Sequence, residues 1–378
     1  MSLRVEIQPS MIDWAISRIA LSDEELVKAF PKIHDWKAGT VSPTLRQAKE
    51  LAKKARLPFG RLLLDEPTGE DLGLPDFRTV RNEKVERISS DLEEVIKVSQ
   101  RRIAWYADYA AEVGIEPPSI VSSARTDDSP RLAAGNIRET MGWSPQDRIT
   151  GADKVGALAA EIEKLGVLVA RNSIVESSTR RPLSVSEFRG FTLIDEGYSL
   201  IFINTRDSKT AQLFSLAHEL GHTALGQPGI SDHSEGRRTE TWCNRFAAEF
   251  LVPKVALMPH VRNVEHTADT IASLSRSFGI SRESMIWRLV ELRVINRSKA
   301  QSLLRDLSNW VNEETTKSGE VKIQRPVIVR ARVGRRFFDT VTHAAISGEV
   351  SAREAARYLG AKDAEAFGKL VEFQQGVA

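Results

Sequence analysis

Two histidines four residues apart, with a glutamate beside the first, form the pattern His218-Glu219-x-x-His222, the part of this 378-residue chain best equipped for chemistry. On an α-helix, residues four apart share one face. The two imidazoles can then grip one Zn²⁺, with Glu219 near the open side of the metal. The flanking residues from Ala211 to Gln227 predict that helix: Ala, Leu and Phe dominate, Asp207 or Ser208 caps its start, and Gly226 with Pro228 ends it. Zinc asks for a third protein ligand and leaves a fourth position for water. Leu225 and Pro228 stand where an extended histidine motif would place Gly and His, so the third ligand must come from further on. The stretch from Glu240 to Pro253 predicts a second apolar-rich helix, stopped by proline. Glu249 is the first choice as ligand: it lies among Phe246, Ala247, Ala248, Phe250 and Leu251, and a carboxylate in such surroundings needs a partner. Glu240 and Asn244 are the fallbacks, while His233 reads as a loop residue and Cys243 as a small buried side chain.

The chemistry expected of such a set is peptide hydrolysis. Zn²⁺ lowers the pKa of water towards neutrality, and Glu219 takes the proton as general base, then hands it to the leaving amine. A second oxyanion donor is also required, for which Tyr198 and His233 are the candidates. Two rival readings compete. The histidines can be plain hydrogen-bonding residues of a buried helix. Alternatively, the zinc site is structural, sensory or latent in a DNA-binding transcription regulator or a toxin–antitoxin component. An intact Glu219 favours the peptidase, since a purely structural zinc site has no use for a base.

The elements that must hold these residues follow from periodicity and punctuation. Phe188–Ile194 and Ser199–Asn204 read as strands split by the turn signal Asp195-Glu-Gly197, and Leu165–Ala170 as a strand after a glycine turn. Ser199–Asn204 is the candidate edge strand for holding an extended substrate by main-chain hydrogen bonds. Residues 174–185 are polar and read as loop, 134–140 and 151–165 as helical, and 116–130 as loop. Upstream, residues 9–64 read as a set of short helices, with Ser22 and Glu25 forming a capping box. A linker follows at 67–79, then a long helix from Asn82 to Val113 that packs through Val85, Ile88, Leu92, Val95, Ile96 and Ile103. Downstream, 267–278 and 281–292 form a helix pair around Gly279-Ile280, and 296–320 a polar connector. Val327–Arg330 reads as a strand, followed by a helical unit over 334–360. Residues 321–340 carry Lys322, Arg325, Arg330, Arg332, Arg335 and Arg336 against Asp339 alone, the most basic patch of the chain.

Composition sets the outer bounds. Hydrophobic residues make up 41% and charged residues 28%, ordinary for a globular protein of two or three domains. A net charge of +2 implies no bulk attraction to nucleic acid or membrane. A single cysteine excludes an internal disulfide and suits a reducing compartment. With no signal peptide at the start and no apolar run long enough to span a bilayer, the expected location is cytoplasmic.

The run Arg189-Gly-Phe-Thr-Leu, Leu200-Ile-Phe-Ile-Asn204, Asp207-Ser208, the His-Glu-Leu-Gly-His helix and Asn244-Arg-Phe-Ala-Ala-Glu249-Phe-Leu-Val-Pro253 resembles the ImmA/IrrE family of zinc metallopeptidases. The resemblance covers residues 183–253 closely. It implies a zincin-like (gluzincin) fold in which His218, His222 and Glu249 hold the metal and Glu219 is the base. It also implies repressor-like transcription regulators or antitoxins as substrates. The pieces Trp36-x-x-Gly39, Ser42-Pro-Thr-Leu45 and Leu57-Pro-Phe-Gly-x-Leu-Leu-Leu64 are similar to an XRE-type helix-turn-helix. That pattern is shortened between Leu26 and Trp36, where the turn and the start of a recognition helix belong. Residues 1–80 also balance twelve Lys/Arg with twelve Asp/Glu, so the unit is expected to bind protein or to be structural rather than to read DNA. In sum, the expected fold is α+β and mostly helical. An XRE-like domain spans 1–66, a linker and long helix 67–145, a zinc peptidase domain with a small sheet 146–295, and a basic, mainly helical domain 296–378.

Overall fold

The computed structural model describes residues 3–19, 21–55, 57–67, 88–231, 238–262, 264–308 and 324–376. Two compact units divide them, with the boundary inside one helix between Lys97 and Val98. The linker expected at 67–79, apart from Pro67, lies outside the described residues, as do Asn82 and Lys322.

The first unit opens with α1 (Pro9–Ser17), α2 (Asp23–Ala29), α3 (Ile33–Lys37), α4 (Leu45–Ala55) and a 3-10 turn (Phe59–Leu63). Met11, Trp14, Ile33, Trp36 and Leu51 form its core. Ser22 accepts from the Glu25 N–H while the Glu25 carboxylate accepts from the Ser22 N–H, so the expected capping box is present. On α4 the apolar face is buried through Ala48, Leu51, Ala52 and Ala55, and Arg46, Lys49, Lys53 and Lys54 are exposed, as on a solvated amphipathic helix. The next helix, α5 (Ser90–Val113), carries the unit boundary.

The second unit contains α6 (Pro130–Thr140), α7 (Lys154–Lys164), β1 (Leu168–Asn172), β2 (Ile174–Val175), β3 (Ser178–Pro182), β4 (Gly190–Asp195), β5 (Tyr198–Asn204), α8 (Lys209–Leu225) and β6 (Gly229–Ser231). There follow α9 (Arg238–Leu251), α10 (Lys254–Val261), α11 (Ala268–Phe278), α12 (Arg282–Glu291) and α13 (Arg297–Ser308), then α14 (Arg325–Val333), α15 (Arg335–Ile346), α16 (Ala352–Leu359) and α17 (Ala364–Gln374). This is an α+β arrangement with one four-stranded sheet in the order β1-β5-β4-β6. β1 runs parallel to β5, and β4 runs antiparallel to both β5 and β6. α8 packs against the sheet through β4 and β5 and against α7 and α9. That placement explains a helix whose residues are buried almost all the way round.

Four expectations are corrected. Ser199–Asn204 is not an edge strand: β5 is paired on both sides, so its backbone groups are already satisfied. Residues 174–185 are not plain loop but contain the β2–β3 hairpin, whose exposed polar side chains leave no hydrophobic alternation to read. Residues 297–308 are helical, within the stretch expected as a connector. Val327–Arg330 is helical too: Pro326 sits in the first turn of α14, where a missing N–H costs nothing, and Val329 and Val333 bury one face. The aromatic run on α5 is packing, with Trp105 against Phe337 and Tyr358 at ring separations of 5.6 and 5.1 Å.

The junction of α14 and α15 closes the outer side of β1. Gly334 has φ +91°, and a Cβ there would lie 2.7 Å from the Val169 carbonyl oxygen, so only glycine fits. Next to it the buried Glu163 accepts from the Arg336 N–H at 2.9 Å, and Arg336 Nε donates to the Tyr106 hydroxyl at 2.7 Å. Burial pushes the Glu163 carboxyl up to about 7. The native protein therefore holds this proton more tightly than the unfolded chain, and stability falls as pH rises from about 4.5 through 7. Melting curves between pH 5 and 8 should show that decline, and Glu163→Gln should flatten it by keeping the acceptor without the charge.

No helix among the described residues is long and apolar enough to cross a membrane.

Candidate metal centre

α8 is started by Ser208, whose hydroxyl accepts from the Ala211 N–H, and ended by Gly226 in the left-handed conformation. These caps set the register that turns His218, Glu219 and His222 inward, where all three are buried. The two Nε2 atoms stand 3.2 Å apart. Asn244 Oδ1 lies 3.0 Å from His218 Nδ1. An amide oxygen only accepts, so Nδ1 carries the proton and the Nε2 lone pair faces the cluster.

The carboxylate that joins them is Glu240. Its Oε2 is 3.2 Å from His218 Nε2 and its Oε1 is 3.3 Å from His222 Nε2. Burial pushes this carboxyl up, but when the two imidazoles are protonated their hydrogen bonds and charges outweigh burial and hold it well below the usual carboxylate range. As neutral rings they offer Nε2 lone pairs beside the same carboxylate instead. Two imidazole nitrogens and a carboxylate gathered in a largely buried place are the donors a divalent ion such as Zn²⁺ takes. Cys243, one turn along the same face of α9, is fully buried beside them.

Glu249, the expected third ligand, faces elsewhere. Its Oε2 pairs with Arg288, and its Oε1 accepts from the Lys254 N–H at 3.0 Å and lies 3.8 Å from Arg131 Nε. The reason is helical geometry: at 100° per residue, nine residues carry Glu249 about 180° round α9 from Glu240. Its apolar neighbourhood did demand a partner, and Arg288 of α12 is that partner. Of the two fallbacks, Glu240 reaches both histidines and Asn244 orients one of them.

Glu219 sits beside the pair, held by β4. Thr192 Oγ1 donates to its Oε2 at 2.7 Å, and a Cβ on Gly190 would lie 3.1 Å from its Oε1. Sequence reasoning did not single out Thr192, whose strand position gave no sign of which helix residue it would meet. Tyr198 is turned away: its hydroxyl donates to the Ile115 carbonyl and its ring packs on Tyr106. His233 lies outside the described residues.

Comparison with known proteins adds two findings. Residues 162–290 match the profile of the IrrE N-terminal-like domain, peptidase family M78. A stretch of 106 residues is 32% identical to the radiation response metalloprotease IrrE of Deinococcus radiodurans, covering 26% of this chain and 32% of that relative. The similarity thus spans about a third of the relative's length.

Proposed function

From the premise that this chain carries an ImmA/IrrE-type (M78) peptidase domain over residues 162–290, we propose that it is a zinc-dependent endopeptidase. The observation that carries this reading is the convergence of His218, His222 and Glu240 on one point with Glu219 alongside. His218, His222 and Glu240 hold the metal. Bound there, Zn²⁺ supplies Lewis acidity, which polarises a carbonyl and brings the pKa of water towards neutrality. Glu219 is the base: its carboxylate, fixed by the Thr192 hydroxyl, takes the proton of the attacking water and passes it to the leaving amide nitrogen. Asn244 keeps His218 in the tautomer that offers Nε2 to the cluster.

The substrate we propose is a regulatory protein of the repressor or antitoxin kind, met in the cytoplasm, following the family resemblance of residues 183–253. We assign the N-terminal unit a protein-binding or structural role, as a degenerate XRE-type module. The helix that carries Trp36, α3, is five residues long, and the exposed cations of α4 are matched by acidic residues elsewhere in the unit. Glu219→Gln provides the test. Co-expressed with candidate partners, the wild type should truncate its substrate, and the variant should do so roughly 10²–10⁴-fold more slowly, with zinc content unchanged. Equal cleavage by the two proteins would rule out the proposed base.

A further inference from the structure

Cys243 is the one thiol of the chain, and α9 places it among the metal-binding side chains. Glu240, Cys243 and Asn244 lie at the i, i+3, i+4 positions of α9, the face turned to α8. Gly221, between the two histidines, lets the helices approach closely: a Cβ there would stand 3.3 Å from Cys243 Cα, Cβ and Sγ alike. The Sγ and one ring nitrogen from each of His218 and His222 all lie within 4.8 Å of one another. Both histidines also meet Glu240. The two imidazoles thus have two neighbours on α9, a carboxylate and a thiol, which makes four candidate donors.

That number matters. A catalytic zinc site keeps three protein ligands and an open position, whereas four protein ligands make a closed, structural-type site. A thiol beside bound zinc is deprotonated readily, and thiolate is a favoured zinc donor. We propose that Cys243 is a conditional fourth ligand, closing the centre in the resting protein and leaving it when the peptidase acts. This rests on the His218–His222–Glu240 metal site proposed above. On closing, the thiol gives its proton to solvent and a sulfur lone pair forms the bond to the metal. On opening, that bond breaks, the sulfur takes a proton back, and the vacated position becomes available to solvent. As a mere filler of a helix contact, Cys243 would leave no trace in the metal's spectrum, and this separates the two roles.

The experiment uses the full chain loaded with Co²⁺, wild type against Cys243→Ala, with His218→Ala as the metal-site control. The expected result is one bound cobalt in both the wild type and Cys243→Ala, with a near-ultraviolet thiolate-to-cobalt charge-transfer band in the wild type alone. X-ray absorption of the zinc-loaded wild type should likewise show one sulfur scatterer at about 2.3 Å, lost in the variant. Where a substrate is in hand, Cys243→Ala should turn it over several-fold faster. One bound cobalt with only nitrogen and oxygen donors in the wild type would overturn the proposal and leave the metal site standing. Absence of metal binding, or binding that survives His218→Ala, would overturn the site reading and this inference together. Circular dichroism of Cys243→Ala checks the fold, and the wild-type spectra decide the question even if that variant fails to fold.

Discussion

Replacing Glu240 by alanine should sharply weaken the protein's hold on its metal. Glu240 is the carboxylate within 3.3 Å of both His218 Nε2 and His222 Nε2, so its loss removes the anionic oxygen donor and leaves the two imidazoles with only the Cys243 thiol beside them. Affinity should fall by more than the roughly 10–100-fold expected when a hydrogen-bond partner of a ligand is lost. Asn244→Ala, which removes such a partner from His218, should stay within that smaller range. Competition titration against a chromophoric chelator measures both. Metal retained by Glu240→Ala at wild-type affinity would show that another group is the third ligand.

Glu249→Ala should have the opposite character, with metal affinity kept and stability lost. Glu249 is the buried partner of Arg288, a side chain only 3% exposed that also donates to the Val252 carbonyl and to Glu291. Removing the carboxylate leaves a guanidinium in the interior with its charge half-answered, a change that costs about 3–5 kcal/mol. Urea unfolding should register that loss. Glu249→Ala combined with Arg288→Met should recover much of it, because no unpaired charge then remains buried. If Glu249→Ala instead released the metal from a still-folded protein, the assignment of the two glutamates would have to be exchanged.

The contrast between these glutamates shows what could be read before any coordinates. His218, Glu219 and His222 were legible because their spacing is a local property of one helix, and the caps at Ser208 and Gly226 are local too. The same held for β4, β5 and the turn between them. Glu249 was the expected third ligand because burial was taken to point to the metal, whereas the structure pairs it with Arg288. Burial demands a partner but does not say which one, and Arg288 lies 39 residues further on. Periodicity contained the corrective: Glu240, Cys243, Asn244 and Ala247 share one stripe of α9, and Glu249 is off it. Thr192 and Glu163 took their roles from chain crossings that no window of sequence spans. The β2–β3 hairpin and α14 were misread for a different reason. Polar strands and β-branched helices run against local propensity, and tertiary packing overrode it.

The cover that α14 and α15 lay over β1 gives the molecule an unexpected dependency. The proposed metal centre is complete by α12, yet the helices that pack on β1 begin only at Arg325. A fragment trimmed to residues 162–290 would keep the side chains of the proposed centre and carry one bare flank of strand, a row of amides ready to adhere to any similar row. The residues of the proposed centre and the cover of β1 are thus encoded in separate stretches of the chain, and the later one acts as the selvedge that keeps the cloth from fraying.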